Sequence, residues 1–181
     1  MNIFESMAGS SDTAAVKQLA AQFGLRPEQA SAAVGALLPA VAAGLKRNLA
    51  TDSAAAQLES ALAGGRHVSY VEQPEVLANP ETVIDGNAIL GHIFGGKEVS
   101  RQVATNASQK TGIDPAILKK MLPLVAALAM GGLAKQSKTG AGATNRTGIG
   151  AMLEPLLDRD RDGSAIDDVA GMLGGLLGRK G

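Results

Sequence analysis

The chain has 181 residues, with 17 Lys plus Arg balanced by 17 Asp plus Glu, two His and no Cys. A net charge of zero removes the electrostatic drive for general nucleic-acid binding, and the lack of cysteine excludes disulfides, thiolate metal sites and thiol nucleophiles. At 45% hydrophobic and 19% charged the composition is that of a folded protein, yet Phe4, Phe23, Tyr70 and Phe94 are its only aromatics. A core without large rings is filled by Ala, Leu, Val, Ile and Met, which predicts an all-α fold of closely packed helices and not a β-sandwich.

The opening MNIFESMAGSSD carries Glu5 and no Lys or Arg before Lys17. It has neither the basic region nor the long apolar run of a secretory signal, so the expected location is cytoplasmic. After a short segment with Ile3, Phe4 and Met7, periodicity predicts a helix over 13–23, a break at Gly24-Leu25-Arg26-Pro27, and a long Ala-rich helix through Leu38-Pro39 to 49. The same order returns downstream: a short segment over 88–94, a helix over 98–110, a break at Gly112-Ile113-Asp114-Pro115, and a helix through Leu122-Pro123 to 135.

Both Gly24 and Gly112 suit the left-handed position that ends a helix, and Pro27 and Pro115 suit the first turn of the next. Asp114 can cap that turn; Arg26, at the matching place, cannot. Gly24 and Gly112 lie 88 residues apart and Pro39 and Pro123 lie 84 apart. The difference is about one helical turn, which keeps the same face inward. These correspondences predict two related multi-helix units, about 2–50 and 87–136, within a domain spanning 1–136; the alternative is that two Ala-rich helices are alike by composition alone. Ile117, Met121, Leu124 and Leu128 form an apolar stripe on the second long helix. The small residues of both long helices predict that they pack on each other, with kinks at Pro39 and Pro123. Their apolar stretches, 29–45 and 121–134, fall short of the unbroken run of about 18–20 residues needed to span a bilayer, and each contains a Pro, so they read as buried core helices.

Between the units, 51–86 reads as a connection with at most short elements, because GGRHVSYVEQPEVLANPETVIDG mixes Gly, Pro and polar residues. The stretch 137–150, SKTGAGATNRTGIG, reads as a flexible linker. Residues 151–181 then form an appendage in which two short apolar helical patterns, 151–157 and 168–177, flank an acidic loop.

That loop carries the strongest chemical signal. Asp158, Asp160 and Asp162, followed by Gly163, reproduce the front half of an EF-hand loop, in which alternate carboxylates converge on a hard cation and Gly permits the sharp reversal. The back half departs from the pattern. Position 12 is Val169, and the nearest acid is Asp168 at position 11, while Ile166 falls one place later than the usual apolar position. A locally rearranged loop, with Asp168 as distal carboxylate and the backbone oxygen of Ser164 as a further ligand, restores the coordination. The expected metal ligands are therefore Asp158, Asp160, Asp162, Ser164 and Asp168, and the expected cation is Ca²⁺. Magnesium, or a solvated turn capped by Asp162 or Asp167 and neutralised by Arg159 and Arg161, are the alternatives. Five of the 17 acids lie within these 11 residues, a crowding that costs stability unless a cation offsets it.

Other chemistry is sparse. His67 reads as a surface residue and His92 as partly buried and hydrogen-bonded; no GxSxG, Walker, HExxH or dinucleotide-binding pattern occurs. An enzyme with a pocket between the two units, using His92 or Glu98, is one alternative function. Met172, Leu173, Leu176 and Leu177, in VAGMLGGLLG, offer a second: docking, pairing with another copy or a protein partner, or contact with a membrane. Few lysines accompany them, which favours pairing over membrane contact.

The doubled GxxP…LP unit, the ILGHIFGG segment (89–96) and the terminal DxDxDGSxxDDVxGMLGGLLG (158–178) together resemble a bacterial family of unknown function that includes YidB-like proteins. The resemblance spans nearly the whole chain. It implies an all-α fold and carries over no catalytic residue; the family's acidic terminal stretch corresponds to 158–168, with Arg161 where a Gly is common. The expectation is a non-enzymatic binding or scaffold protein with a divalent cation as partner, in which cation occupancy orders the appendage.

Overall fold

Thr13 and Asp114 begin the two clearest helices by the same device. The Thr13 hydroxyl accepts from the Val16 N–H at 3.4 Å, and Asp114 Oδ1 accepts from the Ala116 N–H at 2.6 Å, each satisfying a donor left over by the first turn. The structure, a computed structural model, describes residues 13–48, 53, 56–58, 60 and 66–138. Its main helices are α1 (Ala14–Phe23), α2 (Pro27–Asn48), the four-residue α3 (Ser69–Glu72), α4 (Pro80–Phe94), α5 (Lys97–Thr111) and α6 (Pro115–Lys138). Two 3₁₀ turns, Arg66–Val68 and Pro74–Ala78, flank α3. Residues 53, 56–58 and 60 are also helical, and no strand occurs among the described residues, so the fold is all-α as expected.

The punctuation anticipated from the sequence is present in both halves. Gly24 and Gly112 end α1 and α5 with φ of +64° and +70°, and Pro27 and Pro115 open α2 and α6. Arg26 does not cap α2 with its side chain; instead its N–H donates to Gln29 Oε1 at 3.1 Å, the returning half of a capping box. Both long helices continue through their internal prolines.

Three expectations change. The stripe on α6 is too narrow a description, since every residue from 121 to 134 is buried and Ile117 is only half-buried. α6 is surrounded: it packs on α4 most extensively, then on α5, α2 and the turn Arg66–Val68. The long helices do meet, but the main partner of α6 is α4 and not α2. The stretch 51–86 also holds more structure than a connection, because α4 begins at Pro80 and runs straight through Gly86. Read as a turn signal, Gly86 is instead a contact: a methyl group there would fall 2.6 Å from the carbonyl carbon of Pro123. Finally, α2 and residues Pro115–Gln136 of α6 are long and apolar enough to cross a membrane by length and composition, despite their prolines. Burial explains that apolarity, since 78% of the most apolar window of α6 lies inside the fold and 56% of that of α2.

Small residues carry the close contacts throughout. Gly44 of α2 lies under the Phe94 ring, with an added Cβ 2.9 Å from Cε1. Beside this joint, Asn48 Nδ2 donates to the His92 carbonyl at 2.7 Å and Arg47 Nη2 to the Ile93 carbonyl at 3.2 Å. The end of α2 thus satisfies the last carbonyls of α4, and the Arg47 charge suits their partial negative charge.

Two glycines on α4 separate contact from flexibility. Gly86→Ala is expected to lower stability by about 1–3 kcal/mol through overpacking against Pro123. Gly91→Ala, where an added Cβ meets nothing within 4 Å, is expected to raise it by about 0.5–1 kcal/mol. Urea midpoints of the two variants check both signs, and equal shifts would show that helix propensity alone governs α4.

Candidate functional site

Among the described residues, the segment between α2 and α4 builds a buried polar group. His67 lies in the turn Arg66–Val68 and Tyr70 in α3, three residues on, a spacing that sets both rings on one side of a tight turn. Their ring centroids are 5.8 Å apart with planes inclined by 66°, an edge-to-face contact. Both converge on Asp85 of α4. The Tyr70 hydroxyl donates to Asp85 Oδ2 at 2.8 Å, and His67 Nε2 stands 3.3 Å from the same oxygen.

Burial decides what this set can do. His67 and Tyr70 are 6% and 8% exposed, and the Asp85 carboxylate 22%. A phenol and an imidazole brought into the interior need partners, and one carboxylate oxygen serves both. Below them α6 presents Gly131, where a Cβ would lie 2.6 Å from the His67 carbonyl oxygen and 2.9 Å from Val71 Cγ2. At the surface end of the same joint Lys135 of α6 pairs with Glu72 of α3 at 3.4 Å. The arrangement fastens a short segment to two helices and leaves little of either ring open to a substrate.

The sequence expectations for the two histidines reverse. His67, read as a surface residue, is buried and faces Asp85; His92, read as partly buried, has an exposed side chain, and its backbone carbonyl accepts from Asn48. Helical phase is the reason: Gly86, Leu90, Ile93 and Phe94 set the buried face of α4, and His92 falls off it. Glu98 is exposed in the first turn of α5 and pairs with Arg101 at 3.0 Å. Leu37, Leu38, Val41 and Leu45 of α2 share one apolar core with Leu118, Leu122 and Val125 of α6, so packed hydrocarbon joins these helices.

The expected metal ligands Asp158, Asp160, Asp162, Ser164 and Asp168 lie outside the described residues. Among the described residues no group of three or more His, Asp or Glu could hold a metal ion. Tyr70 and Asp85 were not singled out from the sequence. The HxxY spacing of His67 and Tyr70 was readable as one side of a turn, but Asp85, beside Gly86, read as part of a loop.

The phenol contact can be tested directly. Tyr70→Phe is expected to lower stability by about 1–2 kcal/mol, the value of a charge-assisted hydrogen bond reduced for the partial exposure of Asp85. The shift in urea midpoint measures it, and an unchanged midpoint would show that Asp85 is satisfied without the hydroxyl.

Comparison with curated proteins gives no match, and comparison with solved structures gives none. Comparison with protein families gives one, described as "Bacterial protein of unknown function (DUF937)", over residues 5–136. That range takes in all the helices from α1 to α5 and α6 as far as Gln136, and the YidB-like resemblance noted from ILGHIFGG and the GxxP…LP unit is consistent with it. The chain therefore belongs to this bacterial family of unknown function.

Proposed function

We propose that the protein is a non-enzymatic binding or scaffold protein in which an all-α core carries a C-terminal calcium-responsive appendage. The observation that carries this reading is the alternation Asp158-x-Asp160-x-Asp162-Gly163, which supplies hard oxygen ligands at the spacing a calcium loop uses. Asp158, Asp160, Asp162 and Asp168 act as carboxylate ligands and Ser164 as a backbone ligand. The family match ends at residue 136, before the 14-residue stretch 137–150, so the loop belongs to a part of the chain distinct from the matched region. Cation occupancy draws the carboxylates together and sets how the flanking apolar patterns are presented to a partner. The core supports the non-enzymatic part of the reading, since His92 and Glu98 are exposed and α2 and α6 are joined by apolar packing.

Calorimetric titration of the chelator-treated full chain tests the site. The expected dissociation constant is about 10⁻⁴–10⁻³ M, weak because position 12 lacks its bidentate Glu. Asp160→Asn with Asp162→Asn is expected to abolish the heat. No heat and no shift in Tm at millimolar calcium would overturn the site, and an equal response to magnesium would assign it to divalent cations in general.

The spacing of Met172, Leu173, Leu176 and Leu177 favours a second reading, in which this segment pairs with another copy of the chain. Light scattering of the full chain and of a Leu173→Glu, Leu176→Glu variant distinguishes the two. A concentration-dependent mass lost in the variant supports pairing, and equal monomer masses count against it.

A further inference from the structure

We propose that the outer face of α4 is the docking site of a segment of the same chain, residues 169–180, laid antiparallel to it. This goes beyond the calcium loop and does not depend on whether that loop takes a cation.

The face is apolar and open. Ile84 is 69% exposed, the one large hydrophobic residue so exposed among the described residues. Ala88 and Gly91, four and seven residues on, share its side of the helix and are exposed as well. Charge differs between its two ends. Glu75 and Glu81 are exposed at the N-terminal end, no Lys or Arg occurs between 67 and 96, and Lys97 is exposed just past the C-terminal end.

The segment 169–180, which lies outside the described residues, has the complementary pattern. In the helical pattern read over 168–177, Met172, Leu173, Leu176 and Leu177 fall on one side, and Gly171, Gly174, Gly175 and Gly178 on the other. Its large side chains therefore all point one way, and beside Ile84 the small residues Ala88 and Gly91 leave room to receive them. Asp167 and Asp168 precede the segment, and Arg179 and Lys180 close it. Set antiparallel, the two bases come to Glu81 and Glu75 and the two acids to Lys97; set parallel, like charges meet at both ends. The lengths agree, since the 15 residues of α4 extend about 22 Å and 168–180 as a helix about 20 Å.

Reach and area select the same chain over a second copy. Gly131 of α6 lies against the His67 carbonyl, and the His67 ring faces Asp85, the neighbour of Ile84. α6 ends seven residues later at Lys138, about 10 Å further on. The 30 residues 139–168 extend to as much as about 100 Å, several times what is needed to return to α4. A face about 22 Å long and about 10 Å wide offers about 200 Å², roughly a quarter of the ~800 Å² per partner that a stable interface between separate chains buries. A tether holds its own segment at an effective concentration of about millimolar, so a contact too small to retain a second copy is filled from within.

The chain has no cysteine, so a single introduced thiol reports cover without background. Ala88→Cys places the thiol on the face, and Gln109→Cys places it on the exposed side of α5. The full chain is labelled with a thiol reagent in chelator, which separates the result from the cation site. Leu173→Glu with Leu176→Glu is expected to speed labelling at 88 by about tenfold and to leave labelling at 109 unchanged. Ile84→Glu, which alters the other side of the contact at an exposed position, is expected to act in the same direction. Arg179→Glu with Lys180→Glu is expected to speed labelling at 88 about threefold at low salt, and an unchanged rate would overturn the antiparallel placement. Equal rates at 88 with and without the Leu173 and Leu176 substitutions, fast or slow, would overturn the docking. Protection that grows with protein concentration, together with a dimer's mass by light scattering, would overturn docking within one chain in favour of a second copy.

Discussion

Everything in this fold depends on enclosing α6. A helix buried along 14 consecutive residues, 121 to 134, has no face for water, so its neighbours must approach from every side. Around a wide helix with large side chains such a shell would need a larger protein. Here the enclosing elements come close because the contact points carry no side chain: Gly86 lies against the Pro123 backbone and Gly131 against the His67 carbonyl. Close-packed interiors derive their cohesion from many short contacts, each small, and lose it quickly when a gap opens. That explains how a chain with hardly any aromatic residues builds a continuous core from Leu, Ala, Val and Met.

The two ends of α4 show how polar groups are accommodated around that core. At its C-terminal end the carbonyls of His92 and Ile93 are met by Asn48 and Arg47 from α2, which joins sequence-distant helices through backbone groups that would otherwise lack a partner. Toward its N-terminal end Asp85 takes the opposite role, receiving side chains from the turn Arg66–Val68 and from α3. Both joints place charge where a donor or acceptor would otherwise be left over. In the first, two donors meet two carbonyls; in the second, two side chains meet at Asp85 Oδ2.

Local features were legible in the sequence. The breaks at Gly24 and Gly112, the starts at Pro27 and Pro115 and the Asp114 cap follow from backbone preferences that act over three or four residues, and the structure contains each of them. The all-α class follows from the composition, for the same reason: Ala, Leu and Met favour helix whatever surrounds them. Gly86 reads as a loop residue yet lies in a helix contact, because a glycine that permits a turn and a glycine that permits a close helix contact are the same residue in sequence. The pairing of Asp85 with Tyr70 is not legible in the sequence, because a 15-residue separation closed by folding is encoded by no short pattern.

The sequence by itself determined the punctuation of α1, α2, α5 and α6, that the core is made of small and aliphatic residues, and that five carboxylates crowd into 158–168. These are properties of neighbours along the chain. Only the tertiary structure decided that α4 is the chief partner of α6, that His67 is inside and His92 outside, and that His67 and Tyr70 meet at Asp85. Those are matters of burial, and burial depends on which distant residue comes to lie opposite, a relation that hydrophobic spacing within one helix restricts but does not select.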